Sequence, residues 1–305
     1  MKIIDGHKKE NIHFKWNKNL EPIEYLDSNE TFKIKIPDSS TDQIKEYFTD
    51  EDAKKIDVSM LDAAVGPFYV NNAVPGDTLK VTINDINPGN FGWSQTLHNF
   101  WLLSGEFSDE LIIWEIKNNK IRSMRKNFLE NMSFDARPFL GIIGTAPESG
   151  EFPMIPPQSF GGNMDNRHLK KGSVLYLPVN VPGALVSFAD PHALQGDGEV
   201  TGTAVETSCE AEITVEVIKN LKTDYPRIIS YENDNISGKF VNTMGIHNNI
   251  YEAAKIAVRE MIKYLENMGF TGYEAYVLCS IIGNLKISEI VDVPNFVVTM
   301  SMPEL

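Results

Sequence analysis

The 305-residue sequence predicts a mainly β protein with a smaller α/β portion near its end. Short segments of alternating polar and apolar residues, separated by turns rich in glycine and proline, fill most of the first part of the chain. That pattern is typical of a sandwich, roll or barrel. Helical periodicity becomes clear only near residues 248–283, so the helices are predicted to be concentrated there.

The predicted strands have alternating side chains or a continuous apolar run. They are residues 31–37 (TFKIKIP), 79–86 (LKVTINDI), 111–116 (LIIWEI), 173–178 (SVLYLP), 184–189 (ALVSFA) and 210–218 (EAEITVEVI). Turn sequences such as Pro75-Gly76-Asp77 separate them, because proline presets φ and glycine accepts a positive φ.

Two helices follow the strands. Apolar residues on one face predict a helix over residues 248–268, and Gly269 is its natural stop. Thr271 and Glu274 have capping-box spacing and open a second helix over 273–282. Residues 42–48 are also predicted to be helical, and late strands are predicted over 284–291 and 296–300. We therefore expect a β-roll body over residues 1–225, carrying the active-site loops, and a smaller α/β segment over 226–305 packed on it as one continuous fold.

The charge balance limits the partners. There are 28 Lys and Arg residues against 42 Asp and Glu residues, for a net charge of −14. A binder of nucleic-acid phosphates needs a concentrated basic surface, so we expect no nucleic-acid partner. No apolar run approaches the length of a membrane helix, so no membrane partner is expected either. Two cysteines and no apolar leader segment favour reduced thiols and a cytoplasmic location.

Metal-ligating residue types concentrate in residues 190–206 (DPHALQGDGEVTGTAVE). This stretch supplies six potential oxygen or nitrogen ligands: Asp190, His192, Gln195, Asp197, Glu199 and Glu206. Its glycines allow the backbone to fold tightly around a small centre. Imidazole with carboxylates suits a divalent ion such as Zn²⁺, which could activate a water molecule. The alternative is a polar turn followed by a strand edge.

Three other positions are candidates for the same chemistry. In residues 161–168 (GGNMDNRH), Asp165 is a candidate ligand and Asn163 a candidate oxyanion donor, unless both only bond their own loop. Glu148 and Glu151 are candidate general bases or solvated loop carboxylates. His98 lies among apolar residues and is either a ligand or a hydrogen-bonded core histidine.

Several blocks of sequence resemble the acetamidase/formamidase family. The specific ones are residues 161–165 (GGNMD) and 190–199 (DPHALQGDGE), with 173–183 (SVLYLPVNVPG) and 202–206 (GTAVE) beside them. Residues 74–77 (VPGD), 282–285 (IGNL) and 291–295 (VDVPN) give weaker support, so the similarity covers nearly the whole chain. Pro191 departs from the pattern, because a small residue such as glycine is expected there, and this bears on substrate range.

The resemblance implies a Swiss-roll-like β fold, a homo-oligomer, here expected to be a dimer, and hydrolysis of short aliphatic amides to carboxylate and ammonia. It also implies a zinc or calcium ion. His192 and Asp165 match positions inside the family's motifs and carry the strongest site prediction, followed by Asp197, Glu199 and Glu206.

The sequence-based hypothesis is thus a metal-assisted amidohydrolase of small amides such as formamide or acetamide. His192 and Asp165 would hold the ion together with one or more of His98, Asp197 and Glu206. Glu148, Glu151 or Glu199 would be the general base, and Asn163 would stabilise the oxyanion. Two alternatives remain open: a hydrolase of a cyclic or larger amide, and a non-catalytic metal- or ligand-binding β-roll protein.

Overall fold

A computed structural model describes residues 1–233 and 236–305. Two large β-sheets enclose the main core. The first sheet has nine strands, in the spatial order β1 (Lys2–Asp5), β5 (Glu30–Ile36), β18 (Cys209–Ile218), β7 (Thr78–Pro88), β15 (Val174–Pro178), β19 (Arg227–Asn233), β20 (Ile236–His247), β22 (Phe296–Pro303) and β21 (Asn284–Glu289). Its strands after residue 226 continue the sheet of the first part, because β19 pairs with β15.

The second sheet has eleven strands. Eight follow one path, in the order β11 (Phe134–Asp135), β10 (Lys120–Ser123), β9 (Glu110–Lys117), β8 (Phe91–Thr96), β17 (Val205–Glu206), β16 (Val186–Leu194), β12 (Phe139–Gly144) and β14 (Gly161–Asn163). The other three join at β16 through β6 (Ala64–Val70), which pairs with β2 (Ile12–His13) and β4 (Glu24–Leu26). A small separate sheet joins β3 (Lys15–Asn17) to β13 (Glu151–Pro153).

The main core lies between the two large sheets. Three aromatic rings meet there, Phe32 from the first sheet and Phe68 and Phe188 from the second. Their centroids are 5.1 to 6.1 Å apart. All three side chains are fully buried, and burial of each contributes about 1.5–3 kcal/mol. This core holds the two sheets in a fixed relation and so fixes the floor on which the site is built.

Helices α2 (Ile250–Glu266) and α3 (Gly272–Ile281) form a layer on one face of the first sheet. The short helix α1 (Asp50–Ala53) packs instead against β9 of the second sheet, and single 3₁₀ turns cover Lys9–Asn11 and Val58–Met60. Helix α2 buries Ala253, Ala257, Met261 and Leu265 against β20 and β22. The close approach requires Gly245 on β20, because a Cβ there would lie 1.9 Å from the carbonyl oxygen of Ala253.

The mainly β fold class with late helices is confirmed, with structural neighbours reported below. The predicted helices agree with α2 and α3 to within two residues at each end, and the Thr271–Glu274 capping box and a positive φ at Gly269 are present. The N-cap of α2 is Asn249, which lies inside the predicted range of 248–268. The helix predicted over residues 42–48 is wrong. Asp42 has a φ of 56°, and its amide bonds to the Asp38 carboxylate, so the chain turns there. The nearest helix along the chain is α1, which begins at Asp50.

Candidate active site

A buried histidine lies at the centre of a cluster of carboxylates. His192 lies on β16, directly opposite Glu206 of β17 on one side and Phe139 of β12 on the other. The Phe139 ring meets the imidazole at 90°, with the centroids 4.9 Å apart. His192 is fully buried. The sheet and this ring contact therefore hold the imidazole in one orientation.

Gln195 determines which histidine nitrogen faces the carboxylates. The Gln195 Nε2 donates to the carbonyl oxygen of Asp165 at 2.9 Å, so its Oε1 points at His192. That Oε1 lies 2.8 Å from Nδ1 of His192 and is an acceptor, so Nδ1 carries a proton. The other nitrogen, Nε2, is left to face the acidic cluster.

The Nε2 atom of His192 lies between two carboxylates. It is 3.0 Å from Oδ2 of Asp190 and 3.1 Å from Oε2 of Glu206. It is buried and makes no well-aligned hydrogen bond with either. Burial alone would lower the pKa of His192, but the two carboxylates outweigh it and hold that pKa well above its usual range. A cation bound at this point would replace the imidazole proton.

Gly141 makes room for two of these carboxylates. It lies on β12, and a Cβ on it would come within 2.4 Å of both Oδ1 of Asp165 and Oδ2 of Asp190. Its carbonyl oxygen accepts from the Asp165 amide at 3.2 Å, which ties the turn after β14 to β12. The Oδ1 of Asp165 is buried and has no hydrogen-bond partner among the described residues. The two carboxylates thus converge on a space that only glycine leaves open.

Asn163 and Asp292 extend the cluster. The Nδ2 of Asn163, at the end of β14, donates to Oδ2 of Asp292 at 2.8 Å. Asp292 lies in the loop between β21 and β22, and its amide donates to Glu289. The Oδ1 of Asn163 is buried without a partner among the described residues. A second N–H and this oxygen are therefore what Asn163 can present to a ligand.

Burial raises the pKa of most of these carboxyl groups, because it disfavours their charged forms. The pKa values of Asp165, Asp190, Glu199 and Asp292 are all raised, and that of Asp62 is raised to about 8. Burial alone would also raise the pKa of Glu206. The positive charge of His192 and the hydrogen bonds made to the Glu206 carboxylate outweigh burial, so the pKa of Glu206 is lowered. So many buried acids around one imidazole need positive charge to be stable when ionised.

The donor set fits a divalent cation. Three overlapping groups each have ligand atoms within 4.8 Å of one another: Asp165, Asp190 and His192; His192, Glu199 and Glu206; Asp165, Glu199 and Asp292. Zn²⁺ is bound in proteins by imidazole nitrogens together with carboxylate oxygens. Ca²⁺ is bound by oxygen ligands alone, which the carboxylates of this cluster supply. The unpartnered Oδ1 of Asp165 and Nε2 of His192 are the atoms that such an ion would use.

The cluster forms the floor of a cleft of about 290 Å³. Asn163, Asp165, Asp190, Glu199, Glu206 and Asp292 line its inner part. The rest of the lining is mainly apolar and comes from residues 53–61, from β8 with the loop after it, and from Ile155. Its polar members are Ser39, Lys54, Asp62, Gln95 and Asp109. Concave sites with a few convergent polar groups and raised carboxyl pKa values are typical of catalytic centres.

Comparison with known proteins decides the family. The sequence profile described as the acetamidase/formamidase family matches residues 4–153 and 152–305, which together span nearly the whole chain. The chain belongs to the acetamidase/formamidase family. The enzyme class expected from the sequence, an amidohydrolase acting on linear amides, is confirmed at this level.

This acetamidase/formamidase family member has similar solved structures and curated relatives. An acetamidase from Bacillus halodurans is 28% identical, with a TM-score of 0.88 over 99% of this chain and 97% of that one. A predicted acetamidase/formamidase from Thermoanaerobacter tengcongensis is 30% identical, with a TM-score of 0.87 over 99% and 96%. The formamidase of Methylophilus methylotrophus is 26% identical over 96% of this chain and 88% of its own length.

The structure brings together five of the residues that the sequence singled out for catalysis or metal binding: Asn163, Asp165, His192, Glu199 and Glu206. It does not bring Glu151, Asp197 or His98 to the cluster. Glu151 pairs with Lys15 at 2.6 Å, at the surface end of the small sheet. Asp197 pairs with Arg167 at 2.9 Å, and the exposed His98 bonds to the carbonyl oxygen of Phe107.

Glu148 also lies apart. It lines a surface groove with residues 18–22, on loops that do not contribute to the catalytic cleft. Glu148, His98 and Asp197 lie on loops whose course the local sequence does not determine, and Glu151 lies on β13, whose pairing with β3 carries it to the surface. Strand register, by contrast, places the Asn163 and Glu206 side chains directly.

Sequence reasoning assigned no role to Asp62 and Asp292, and it named Asp190 only among potential ligands. Asp292 falls in the VDVPN block at 291–295, which resembles the family but carries no local sign of a ligand. Asp62 follows the 3₁₀ turn at Val58–Met60 and has no local signal. Gln195 was grouped with the ligands, but its contacts make it the residue that orients His192.

Proposed function

We propose that this protein hydrolyses linear primary amides, with formamide and acetamide as the first substrates to test, to a carboxylate and ammonia. Relatives described as formamidase and acetamidase support this chemistry. The observation that carries the proposal is the position of His192, whose unaligned Nε2 lies 3.0 and 3.1 Å from two buried carboxylates.

We propose that His192, Asp165, Asp190 and Glu206 hold a zinc or calcium ion, with Glu199 and Asp292 beside it. When bound, such an ion would polarise the amide carbonyl and lower the pKa of water. Ser39 donates to Oε2 of Glu206 at 2.9 Å, and the Ala204 amide donates to Oε1 at 2.6 Å. These two bonds fix the orientation of the Glu206 carboxylate.

Glu199 is proposed as the residue that moves the proton. Burial raises its pKa well above the usual range, which suits a carboxyl group that takes a proton from water and then gives it to the leaving nitrogen. The carbon–nitrogen bond breaks, the carbon–oxygen bond forms, and the transferred proton leaves on ammonia. Asn163 is proposed to bind the substrate amide, through its remaining N–H to the carbonyl oxygen or its Oδ1 to the NH₂ group.

The test is ammonia release from formamide and acetamide before and after chelation, with Zn²⁺ or Ca²⁺ added back. Activity that is lost and then restored by one ion is the expected result, and it would identify the ion. If metal analysis shows that the ion is fully removed and ammonia release is unchanged, the metal-assisted step is refuted. The proposal that the protein is an amidase would still stand.

Matched carboxylate pairs test the residues. Glu199→Gln is expected to reduce kcat by about 100-fold or more, while Glu151→Gln, at the exposed Lys15 pair, is expected to leave it unchanged. Asp165→Asn is expected to lower metal affinity, and Asp197→Asn, at the Arg167 pair, serves as its control. Equal effects within either pair would contradict the assignment of the cluster.

The non-catalytic alternative makes a different prediction. A metal-binding protein without activity would bind Zn²⁺ or Ca²⁺ by calorimetry and release no ammonia from any amide. The raised carboxyl pKa values and the open cleft favour the enzyme, because a structural ion is normally enclosed by its ligands. A cyclic or larger amide is separated from small amides by a substrate panel.

We also propose that the protein is a cytoplasmic homodimer. Helix α3 and the adjoining strand β21 and loop leave apolar side chains exposed: Tyr273, Tyr276, Ile281, Leu285 and Val293. Apolar patches of this kind mark interfaces. Light scattering should report a dimer that Ile281→Glu dissociates and the remote control Tyr47→Glu does not.

The proposed cytoplasmic location rests on other observations. Among the described residues no helix is long and apolar enough to span a membrane. Both cysteines are free and buried, which agrees with a reducing compartment.

A further inference from the structure

We propose that the cleft selects linear amides with an extended apolar acyl group, of the size of a hexanoyl or phenylacetyl group, over formamide and acetamide. This inference rests on the proposed function, because it concerns the acyl half of the same substrate. It is based on the walls of the cleft, which lie beyond the acidic cluster that would bind the amide group.

The cleft has two chemically distinct parts. Its floor is the acidic cluster, which would hold the amide group. Its walls are mainly apolar and come from separate segments, with Ile56 and Leu61 before β6, Trp93 on β8, Phe100 and Trp101 in the following loop, and Ile155. A formyl or acetyl group is too small to cover this surface while its carbonyl stays at the floor. Apolar walls next to a catalytic floor are therefore predicted to bind the rest of a longer acyl chain.

The volume of the cleft exceeds what a small amide fills. At roughly 30 Å³ per water molecule, the 290 Å³ cleft holds about ten waters. Acetamide has only four non-hydrogen atoms, so most of these waters would stay against apolar walls. A longer acyl group displaces them and gains the free energy of apolar burial.

The wall is fixed relative to the floor through Trp101. A Cβ on Gly202 would lie 2.0 Å from Cδ2 of the Trp101 indole, so the ring lies directly against the Gly202 backbone. The Gly202 amide in turn donates to the carbonyl oxygen of Glu199 at 2.7 Å. The position of the indole is thus coupled to the loop that carries the proposed proton-transfer residue.

The polar atom of this indole is also unsatisfied. Nε1 of Trp101 is buried and has no hydrogen-bond partner in the part of the chain that the structure describes. Buried indole N–H groups normally find an acceptor. Phe100, with its ring centroid 5.8 Å from that of Trp101, extends the wall toward solvent. An apolar acyl group offers no acceptor to this N–H, so its contacts with the wall would be made by the faces of the Phe100 and Trp101 rings.

The experiment is a series of amides from acetamide through butanamide to hexanamide, with phenylacetamide, measured as kcat/KM by ammonia release. Each buried methylene is expected to raise kcat/KM about fourfold until the cleft is filled. A hexanamide to acetamide ratio above about ten is expected, because burial of only two of the four additional methylenes gives about sixteenfold. A ratio below about ten would overturn the inference and leave the proposed function standing.

Variants locate the effect. Trp101→Ala is expected to lower the hexanamide to acetamide ratio about tenfold. Phe100→Ala, at a more exposed position that is less important for folding, is expected to lower it by a smaller factor. Leu103→Ala is the matched control, because Leu103 is an exposed apolar residue of the same loop outside the cleft lining. A ratio that falls equally in all three variants would contradict a specific role of the cleft wall.

Calorimetry of hexanamide and acetamide binding separates the two proposals. If no amide releases ammonia, the proposed function fails. Tighter binding of hexanamide that Trp101→Ala removes would then still support the apolar subsite. Equal or undetectable binding of both amides would overturn it.

Discussion

Gly141 offers the sharpest test of the site, because a single added methyl group there should disturb two carboxylates at once. A Cβ at this position lies 2.4 Å from Oδ1 of Asp165 and 2.4 Å from Oδ2 of Asp190, whereas ordinary contact begins near 3.4 Å. Each oxygen must therefore move by about 1 Å, and a displacement of that size can cost about 100-fold in rate. Overpacking of this kind also destabilises the fold by about 1–3 kcal/mol.

The expected result for Gly141→Ala is a folded protein with about 100-fold lower kcat/KM for acetamide and a lower affinity for the added ion. Gly196→Ala is the matched control. Gly196 lies in the loop between Gln195 and Glu199, has no atom within 4 Å of an added Cβ, and like Gly141 has no positive φ. Steady-state kinetics, calorimetry and circular dichroism measure the three quantities. If Gly141→Ala has wild-type kinetics, neither carboxylate has to keep its position. That result would refute the assignment of Asp165 and Asp190 to the active site.

Four further predictions follow from single contacts. His192→Ala should lose metal and activity together while its circular dichroism is unchanged; full activity in the metal-free variant would refute its role. Gln195→Leu should lower metal affinity by about 10–100-fold in calorimetry, because Nδ1 of His192 loses its acceptor. Burial lowers the pKa of His13 from 6.5 to about 4, so the folded state binds fewer protons between these values. Urea unfolding should therefore show the wild type losing about 3 kcal/mol of stability relative to His13→Gln as pH falls from 6.5 to 4, because the other buried groups titrate in both proteins and cancel in the difference. Thr271→Ala should cost about 1 kcal/mol in the same assay through loss of the α3 cap.

Local chemistry allowed much of the fold to be predicted from the sequence. The alternation in residues 210–218 reflects a strand with one buried face, and that strand is β18, paired on both sides. The caps of α2 and α3 are contacts between residues two or three positions apart, so they are visible in the sequence. The helix predicted at 42–48 failed because nearby side chains bond its backbone: the Asp38 carboxylate accepts from the Asp42 amide, and the Ser40 hydroxyl oxygen accepts from the Ile44 amide.

The site was predictable where a strand carries it. Pairing of β16 with β17 places His192 directly opposite Glu206. Asp165 follows the end of β14 by two residues, and Glu199 lies in the loop that joins β16 to β17, so both are tied to the same sheet. Glu148 and Glu151 have the right chemistry, but Glu148 lines a separate surface groove and Glu151, on β13, pairs with Lys15. Asp62 and Asp292 come from segments far away in the sequence, and nothing in their local pattern indicates where tertiary packing takes them.

The link between Asn163 and Asp292 has a consequence for the order in which the protein can become active. These residues are 129 positions apart, and the loop that carries Asp292 is held by β21 and β22, whose strands pair only near the end of the chain. Asn166, three residues after Asn163, makes a parallel link to Thr299 at 2.9 Å. During synthesis from the N-terminus, β16 and β17 can pair while both of these anchors are still inside or near the ribosome. The acidic cluster therefore stays open on one side until translation has passed residue 299, and a nascent chain is expected to bind the proposed ion less firmly than the full chain does.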